Sequence, residues 1–350
     1  VIDCAKEGDA TAKQVFDDYV KALAHGIVSI FNMLDPEVIV LGGGVSMAGE
    51  YLLDAVRAAV KPLVFFKTLP YPSIQLAARR GCGHHWRGAA GARMMGAWEK
   101  IVPALERLSG DTGVYLCNLV TGDMRAYAAD KPVVAASVIK IPVMIEVFRQ
   151  ARDGLLDLNE IHRLSDDERL PSCGTLKAMH TGIEMTLLDL TRLMVIVSDN
   201  AATNILIRRV GMENVNRTIR ELGCEKTCLR CLLFDGEAAA RGIENSITAG
   251  EMGLLLEKLY QGEVVSAEAS AQMLDILKDQ RLNGKLPFFL HTMGVPVAHK
   301  TGEDDGITHD VGIIYAKEPM VCCFVGEHVD VPGYERLMQD AAKWVAEEGL

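Results

Sequence analysis

The feature that most constrains this chain is a set of three short polar elements that occur in a fixed order. Ser-x-x-Lys occupies residues 137–140, Ser-Asp-Asn residues 198–200 and Lys-Thr-Gly residues 300–302. If the run from Ser137 is helical, Ser137 and Lys140 lie on one face, where the amine can reach the hydroxyl. A serine becomes a nucleophile when a neighbour takes its proton, and a desolvated lysine can do so. Each element alone recurs by chance as a helix cap or a surface turn, whereas the ordered set predicts a catalytic site.

The three elements and the sequence around them resemble class A β-lactamases and penicillin-binding proteins. The stretch from Gly182 to Asn204 is similar to that family's helix and Ser-Asp-Asn loop, and residues 297–311 resemble its inner strand and following turn. The resemblance spans about residues 97–350. It implies an α+β, β-lactamase/penicillin-binding-protein-like two-subdomain fold, with an antiparallel sheet flanked by helices, a helical subdomain and the site in the crevice between them.

The resemblance also implies roles for individual residues. Ser137 is the expected nucleophile, Lys140 the expected base for its acylation, and Ser198 the expected proton relay to the departing nitrogen. The backbone N–H groups of Ser137 and Glu303 are expected to form the oxyanion hole. The expected substrate-binding residues are Asn200, Lys300, Thr301, Gly302 and Glu303.

One part of the family pattern is missing. In the resembled family, a Gly-x-x-x-Thr-x-Leu element is followed by an arginine and, shortly after it, by a glutamate that orients water. In this chain the arginine is Arg230. The expected position falls on Leu232 or Leu233. A rearranged loop would make Glu237 the catalytic acid, and the alternative is that Glu237 is an ordinary exposed loop residue. Without such an acid the acyl-enzyme persists, as in a penicillin-binding protein, rather than turning over.

The sequence therefore predicts a serine β-lactamase-type hydrolase that opens β-lactams, or related amides and esters, through a Ser137 acyl-enzyme. The alternatives are a D-Ala-D-Ala peptidase or esterase-like penicillin-binding hydrolase with slow β-lactam release, and a penicillin-binding sensor that never turns over. No metal or other cofactor is expected. The chain gives no prediction of oligomeric state.

The N-terminal region has a different character. Apolar spacing predicts a helix over residues 9–35, followed by a short strand, a glycine turn at residues 42–44 and a second helix from about 49 to 60. The run from Leu34 to Ser46 closely resembles the last segment of ROK-family sugar kinases. This resemblance covers about residues 8–76, an N-terminal α/β kinase fragment. In that family the catalytic Asp and the zinc motif precede this segment, and neither is present here, so we expect no kinase activity. A sugar kinase or sugar-binding module is kept as the rival function.

We predict three regions: a ROK-kinase-like C-terminal fragment at 1–76, an irregular junction at 77–96 and a serine hydrolase domain at 97–350. The junction has neither helical nor strand periodicity. It is either a true linker or a frame slip that joins two genes near Met94.

The hydrolase region has its own periodic pattern. It predicts a hairpin of strands at 114–120 and 124–128, a mostly helical block at 155–260, strands at 308–315 and 320–326, and a closing helix at 334–347. Both ends of the region would then complete one antiparallel sheet, with the helical subdomain inserted between them.

Composition narrows the classes of partner and compartment. The formal charge is −11 with a sequence pI of about 5.4, and no basic cluster offsets it, which argues against nucleic acid. The apolar stretches are too short for a membrane span. No secretory signal opens the chain and the nine cysteines form an odd set, so we expect a cytoplasmic protein. Cys224, Cys228 and Cys231 are expected to be ordinary thiols rather than zinc ligands.

Overall fold

The computed structural model describes residues 2–6, 8–34, 36, 38–42, 48–64, 73–76, 96–170 and 173–350. The chain divides into two compact units, residues 1–94 and 95–350. The predicted junction lies almost entirely outside the described residues, and the three predicted domain boundaries stay predictions. No helix in the described ranges is long and apolar enough to cross a membrane.

The first unit is a small helix and strand assembly. Its elements are α1 (Ile2–Lys6), α2 (Ala10–Leu34), β1 (Val38–Leu41), α3 (Glu50–Val60) and β2 (Ser73–Leu76). The two strands pair in parallel, and the buried faces of α2 and α3 pack together in one apolar cluster. The helices predicted at 9–35 and 49–60 are thus confirmed, while residues 43–47 of the glycine turn lie outside the described residues.

The second unit is larger and mixes helices with strands. Its elements, in chain order, are α4 (Ala97–Leu105), β3 (Asp111–Asn118), β4 (Met124–Tyr127), β5 (Val133–Val134), a 3₁₀ turn (Ala136–Ile139), α5 (Lys140–Arg152), β6 (Ile161–Arg163), β7 (Glu184–Thr186), α6 (Leu187–Ile196), α7 (Asn200–Val210), α8 (Met212–Glu221), α9 (Gly236–Ala240), β8 (Ser246–Ile247), α10 (Ala249–Gln261), α11 (Ala267–Lys278), α12 (Pro287–Leu290), β9 (Val297–Asp304), β10 (Ile307–Tyr315), β11 (Pro319–Glu327) and α13 (Val331–Glu348).

A five-stranded antiparallel sheet forms the centre of this unit. Its strand order is β4-β3-β11-β10-β9, so strands from both ends of the unit lie side by side, as the sequence predicts. Helices α4 and α13 cover one face, and α10 and α11 pack against the other. The central strands β10 and β11 are buried on both faces, and this explains the nearly continuous apolar run of β11.

Helix α5 links the sheet to the helical subdomain. It packs against α6, α7, α8 and α11, and almost all of its residues are buried. The helix thus lies in the protein interior although it carries polar residues, among them Lys140 and Glu146. Because its first residue is Lys140, this packing carries an amine into the core.

Candidate active site

Ser137 lies where strand β5 turns into helix α5. The 3₁₀ turn that contains it begins at Ala136, whose φ of 43° is in the left-handed region. Such a conformation is costly for a residue with a Cβ and is held only where the surrounding structure enforces it. Ser137 is half-buried and lines a cavity of ≈ 430 Å³, so its hydroxyl is accessible to a small molecule.

Lys140 has a fully buried side chain in the middle of the site. Its Nζ lies 2.9 Å from Ser137 Oγ, 2.9 Å from Ser198 Oγ and 2.7 Å from Asn200 Oδ1. Burial holds the pKa of Lys140 well below its ordinary value, nearby Lys300 lowers the pKa further, and Asp199 opposes both effects. The amine is therefore suited to take a proton from the serine that it contacts.

The Ser-Asp-Asn element forms the turn between α6 and α7. Asp199 accepts hydrogen bonds from the N–H groups of Ala202, at the start of α7, and of Thr175 and Leu176. Its role is structural, because these bonds cap the helix and anchor a neighbouring loop. Ser198 and Asn200 lie on either side of Asp199, and both contact Lys140. Ser198 has a φ of 55°, in the left-handed region.

Strand β9 supplies the third element. Lys300 Nζ lies 3.1 Å from Ser198 Oγ and donates to Thr301 O at 2.8 Å. Burial lowers the pKa of Lys300 to about 7, although the carboxylate of Asp310 opposes the shift. Ser198 thus lies between two buried amines, in a continuous line of polar contacts from Ser137 to Lys300.

The remaining residues of the β9 segment differ in exposure. Thr301 is buried, whereas the Glu303 side chain is exposed, pairs with Lys285 at 3.0 Å and lines the cavity. Gly302 is closely surrounded: a Cβ there would lie 3.0 Å from His309 Cδ2 and 3.1 Å from Val138 Cγ2. A Cβ at this position would force these neighbours to move by a few tenths of an ångström, because β9 and the segment after Ser137 approach each other closely.

The structure does not bring Glu237 into this cluster. Asp235 caps α9 by accepting from the N–H groups of Glu237 and Ala238, and this places the Glu237 side chain on the exposed surface. Leu232 lines the cavity together with Ser137, whereas Glu237 is not among its lining residues. The catalytic role of Glu237 stays a prediction, and its placement favours the ordinary exposed loop residue.

Two asparagines that the sequence analysis did not assign shape the loop over the site. Asn204 binds both backbone groups of Leu233: its Nδ2 donates to Leu233 O and its Oδ1 accepts from Leu233 N–H, each at 2.9 Å. Asn245 accepts from the N–H groups of Arg230 and Cys231 through Oδ1. The sequence spacing could have identified Asn204, because it follows Asn200 by four residues and so lies on the same face of α7.

Ser137 thus lies beside one buried lysine and Ser198 beside two, an arrangement in which a neighbouring amine can activate a serine as a nucleophile. The chain belongs to the β-lactamase enzyme family, whose model matches residues 97–348. A second model, that of the ROK family, matches residues 1–95. Both family predictions are confirmed.

Similar proteins support the same grouping. A curated β-lactamase from Citrobacter koseri is 27% identical over 254 residues, which cover 70% of this chain and 85% of that protein. A β-lactamase structure from Sphaerobacter thermophilus aligns with a TM-score of 0.67 and 29% identity, and covers 73% of this chain and 97% of its own. PBP-A aligns with a TM-score of 0.65 and 27% identity, covering 72% and 94%. These neighbours confirm the predicted β-lactamase/penicillin-binding-protein-like fold.

The lowered pKa of Lys300 predicts how a substitution there changes stability with pH. Its pKa is about 7 in the folded chain and 10.5 is its ordinary value. Between these values the unfolded chain binds more protons, so this group's contribution to stability falls as pH decreases from about 10.5 to about 7. Lys300→Met removes this titration. The difference in free energy of unfolding, variant minus unaltered protein, should therefore increase as the pH is lowered from about 10.5 to about 7.

Urea unfolding at a series of pH values measures this difference. Lys177→Met, at an exposed lysine, is the matched control. A difference for Lys300→Met that stays constant with pH would show that Lys300 is not a titrating buried amine.

Proposed function

We propose that residues 97–350 form a serine hydrolase that reacts with β-lactams through an acyl-enzyme on Ser137 and releases the acyl group slowly. The 2.9 Å contact between Lys140 Nζ and Ser137 Oγ in a buried site carries this proposal. It gives the serine an adjacent base whose proton affinity is reduced by burial. Membership of the β-lactamase family supports the choice of a β-lactam as substrate.

Acylation follows from these contacts. Neutral Lys140 takes the Ser137 proton while Oγ attacks the β-lactam carbonyl carbon. The backbone N–H groups of Ser137 and Glu303 hold the oxyanion, an interaction worth about 3 kcal/mol per donor. As the tetrahedral intermediate collapses, the ring C–N bond breaks and Ser198 passes a proton to the departing nitrogen. Ser198 is in turn reprotonated by Lys140, whose Nζ lies 2.9 Å from Ser198 Oγ, so the proton lost by the nucleophile reaches the leaving group.

Substrate binding uses the groups around this line of contacts. Asn200 holds the amide of the substrate's acyl side chain. Thr301 and the amine of Lys300 bind the substrate carboxylate, which would also favour the protonated form of a lysine whose pKa is about 7.

Release of the acyl group requires a water molecule and a base to activate it. Leu232 and Leu233, the two residues on which the expected glutamate position falls, both line the cavity, and an alkyl side chain can neither orient nor deprotonate water. PBP-A has also been captured as an acyl-enzyme complex with penicillin G, in a leucine-to-glutamate variant. The PBP-A complex supports acylation by a penicillin, and the alkyl side chains of the cavity wall favour a persistent acyl-enzyme over rapid turnover.

The Ser137→Ala variant tests the nucleophile. It should lose all covalent labelling by a fluorescent penicillin, because among the described residues Ser137 is the one whose hydroxyl contacts Lys140 and that also lines the cavity. Denaturing gel electrophoresis after incubation measures the label. Ser73→Ala, at an exposed serine of the first unit, is the control and should label fully. Labelling retained by Ser137→Ala would refute the assignment.

The Leu232→Glu variant tests why release is slow. A carboxylate at the cavity wall should act as general base and increase the deacylation rate about 10²- to 10⁴-fold, with acylation little changed. Hydrolysis of a chromogenic cephalosporin, followed through burst and steady state, measures both rates. Leu232→Gln has nearly the same size without the base and should stay slow. Equal rates for the glutamate and glutamine variants would contradict the explanation.

The Glu237→Gln variant tests the acid that the sequence analysis considered. Since the Glu237 side chain is exposed and outside the cavity wall, deacylation should be unchanged within about two-fold, far below the effect of losing a general base. The same burst assay measures it. Deacylation slowed by a further order of magnitude would identify Glu237 as the acting base after all.

A further inference from the structure

The short strand β5, which leads into the nucleophile, is attached to the central sheet by side chains. On one edge it pairs with β8 through its backbone. On the other edge, Val134 N–H donates to Glu327 Oε2 at 3.1 Å, and Val134 O accepts from His309 Nε2 at 2.8 Å. Glu327 and His309 belong to β11 and β10. These two side chains therefore occupy the place that a neighbouring strand would fill.

His309 is the buried member of this pair and has a single tautomer. Its Nδ1 accepts from Gly326 N–H at 3.0 Å, while its Nε2 faces the Val134 carbonyl. A carbonyl can only accept and an N–H can only donate, so the ring proton is on Nε2. Burial lowers the pKa of His309 to about 4, and the imidazole is neutral in this position. Lys285, which donates to the His309 carbonyl, also opposes protonation.

The His309 ring also contacts the strand that carries the other half of the site. In the β9/β10 register, His309 lies opposite Gly302. A Cβ on Gly302 would be 3.0 Å from His309 Cδ2, 3.1 Å from Val138 Cγ2 and 3.4 Å from Ala135 O. The ring and the segment on either side of the nucleophile thus enclose Gly302. One side chain is in contact with both β9 and the strand before Ser137.

We propose that His309 is a positioning residue for acylation: its hydrogen bond to Val134 fixes the separation between the Ser137 and Glu303 amides. This inference rests on the proposed function, in which those two N–H groups form the oxyanion hole. Val134 precedes Ser137 by three residues, and Glu303 follows Gly302 directly. A shift of β5 relative to β9 would therefore be transmitted to both donors.

The effect should fall on the chemical step rather than on substrate binding. Oxyanion donors act only when they lie about 2.7–3.1 Å from the developing charge, and a misplacement of about 1 Å can cost about 10²-fold in rate. The groups that bind the substrate before reaction, Asn200 and Lys300, are held by α7 and by the Ser198 contact rather than by Val134. The affinity of the protein for the substrate before reaction should therefore be unchanged.

Two substitutions separate the two hydrogen bonds of His309. His309→Gln retains a side-chain N–H that reaches as far as Nε2, and so keeps the bond to Val134. His309→Asn retains an acceptor at the position of Nδ1, and so keeps the bond to Gly326 within the sheet. His309→Leu fills the space and retains neither bond. His291→Gln, at an exposed histidine, is the control.

Stopped-flow acylation by penicillin G gives the dissociation constant and the acylation rate constant separately. We expect His309→Asn and His309→Leu to lower the rate constant about 10- to 100-fold, and His309→Gln to stay within about 3-fold of the unaltered protein. The dissociation constant should be unchanged in all four variants. A merely structural role predicts that acylation follows the melting temperature, whichever bond is kept, and that result would overturn the proposal.

A second measurement keeps this inference separate from the proposed function. In crystals, the distance between the Ser137 and Glu303 amide nitrogens should change in His309→Asn and His309→Leu but not in His309→Gln. This comparison needs no reaction with penicillin, so it decides the positioning role even if Ser137 is unreactive. An unchanged distance in all variants would refute it.

Discussion

The burial of the Lys140 amine is the constraint on which the rest of the site depends. Because α5 is buried on almost every side, packing it among α6, α7, α8 and α11 draws its first residue out of water. A lysine in such a place is costly when charged, which lowers the pKa of Lys140 while Ser137 Oγ lies 2.9 Å from its Nζ. The fold thereby converts an ordinary lysine into a base beside a serine.

In the proposed reaction, the groups for acylation and the groups for release are built by different parts of the chain. Acylation uses the core: the start of α5, the α6–α7 turn and β9 are all fixed by buried contacts. Release depends on the loop between Arg230 and Asn245, which Asn204 fastens at Leu233. Substitution in such a loop can change the fate of the acyl group without disturbing the core.

Much of the fold and part of the site could be predicted from the sequence. Strong periodicity marked β10, β11 and the long helices, and the residue types of Ser137, Lys140 and Lys300 carried their chemistry in the sequence. The position of Glu237 was beyond reach, because it depends on where Asp235 starts a short helix. The link from His309 to Val134 joins residues 175 positions apart, and periodicity contains no information on such a contact.

The central claim is that Ser137 forms an acyl-enzyme that persists. Intact-protein mass spectrometry at intervals after mixing with penicillin G tests it most directly, because ring opening retains every atom of the penicillin. We expect an increase equal to one whole penicillin molecule per chain, mapped to the peptide that contains Ser137, and a slow return to the original mass. The account would be contradicted if no adduct formed, if the adduct lay on another residue, or if the original mass returned rapidly.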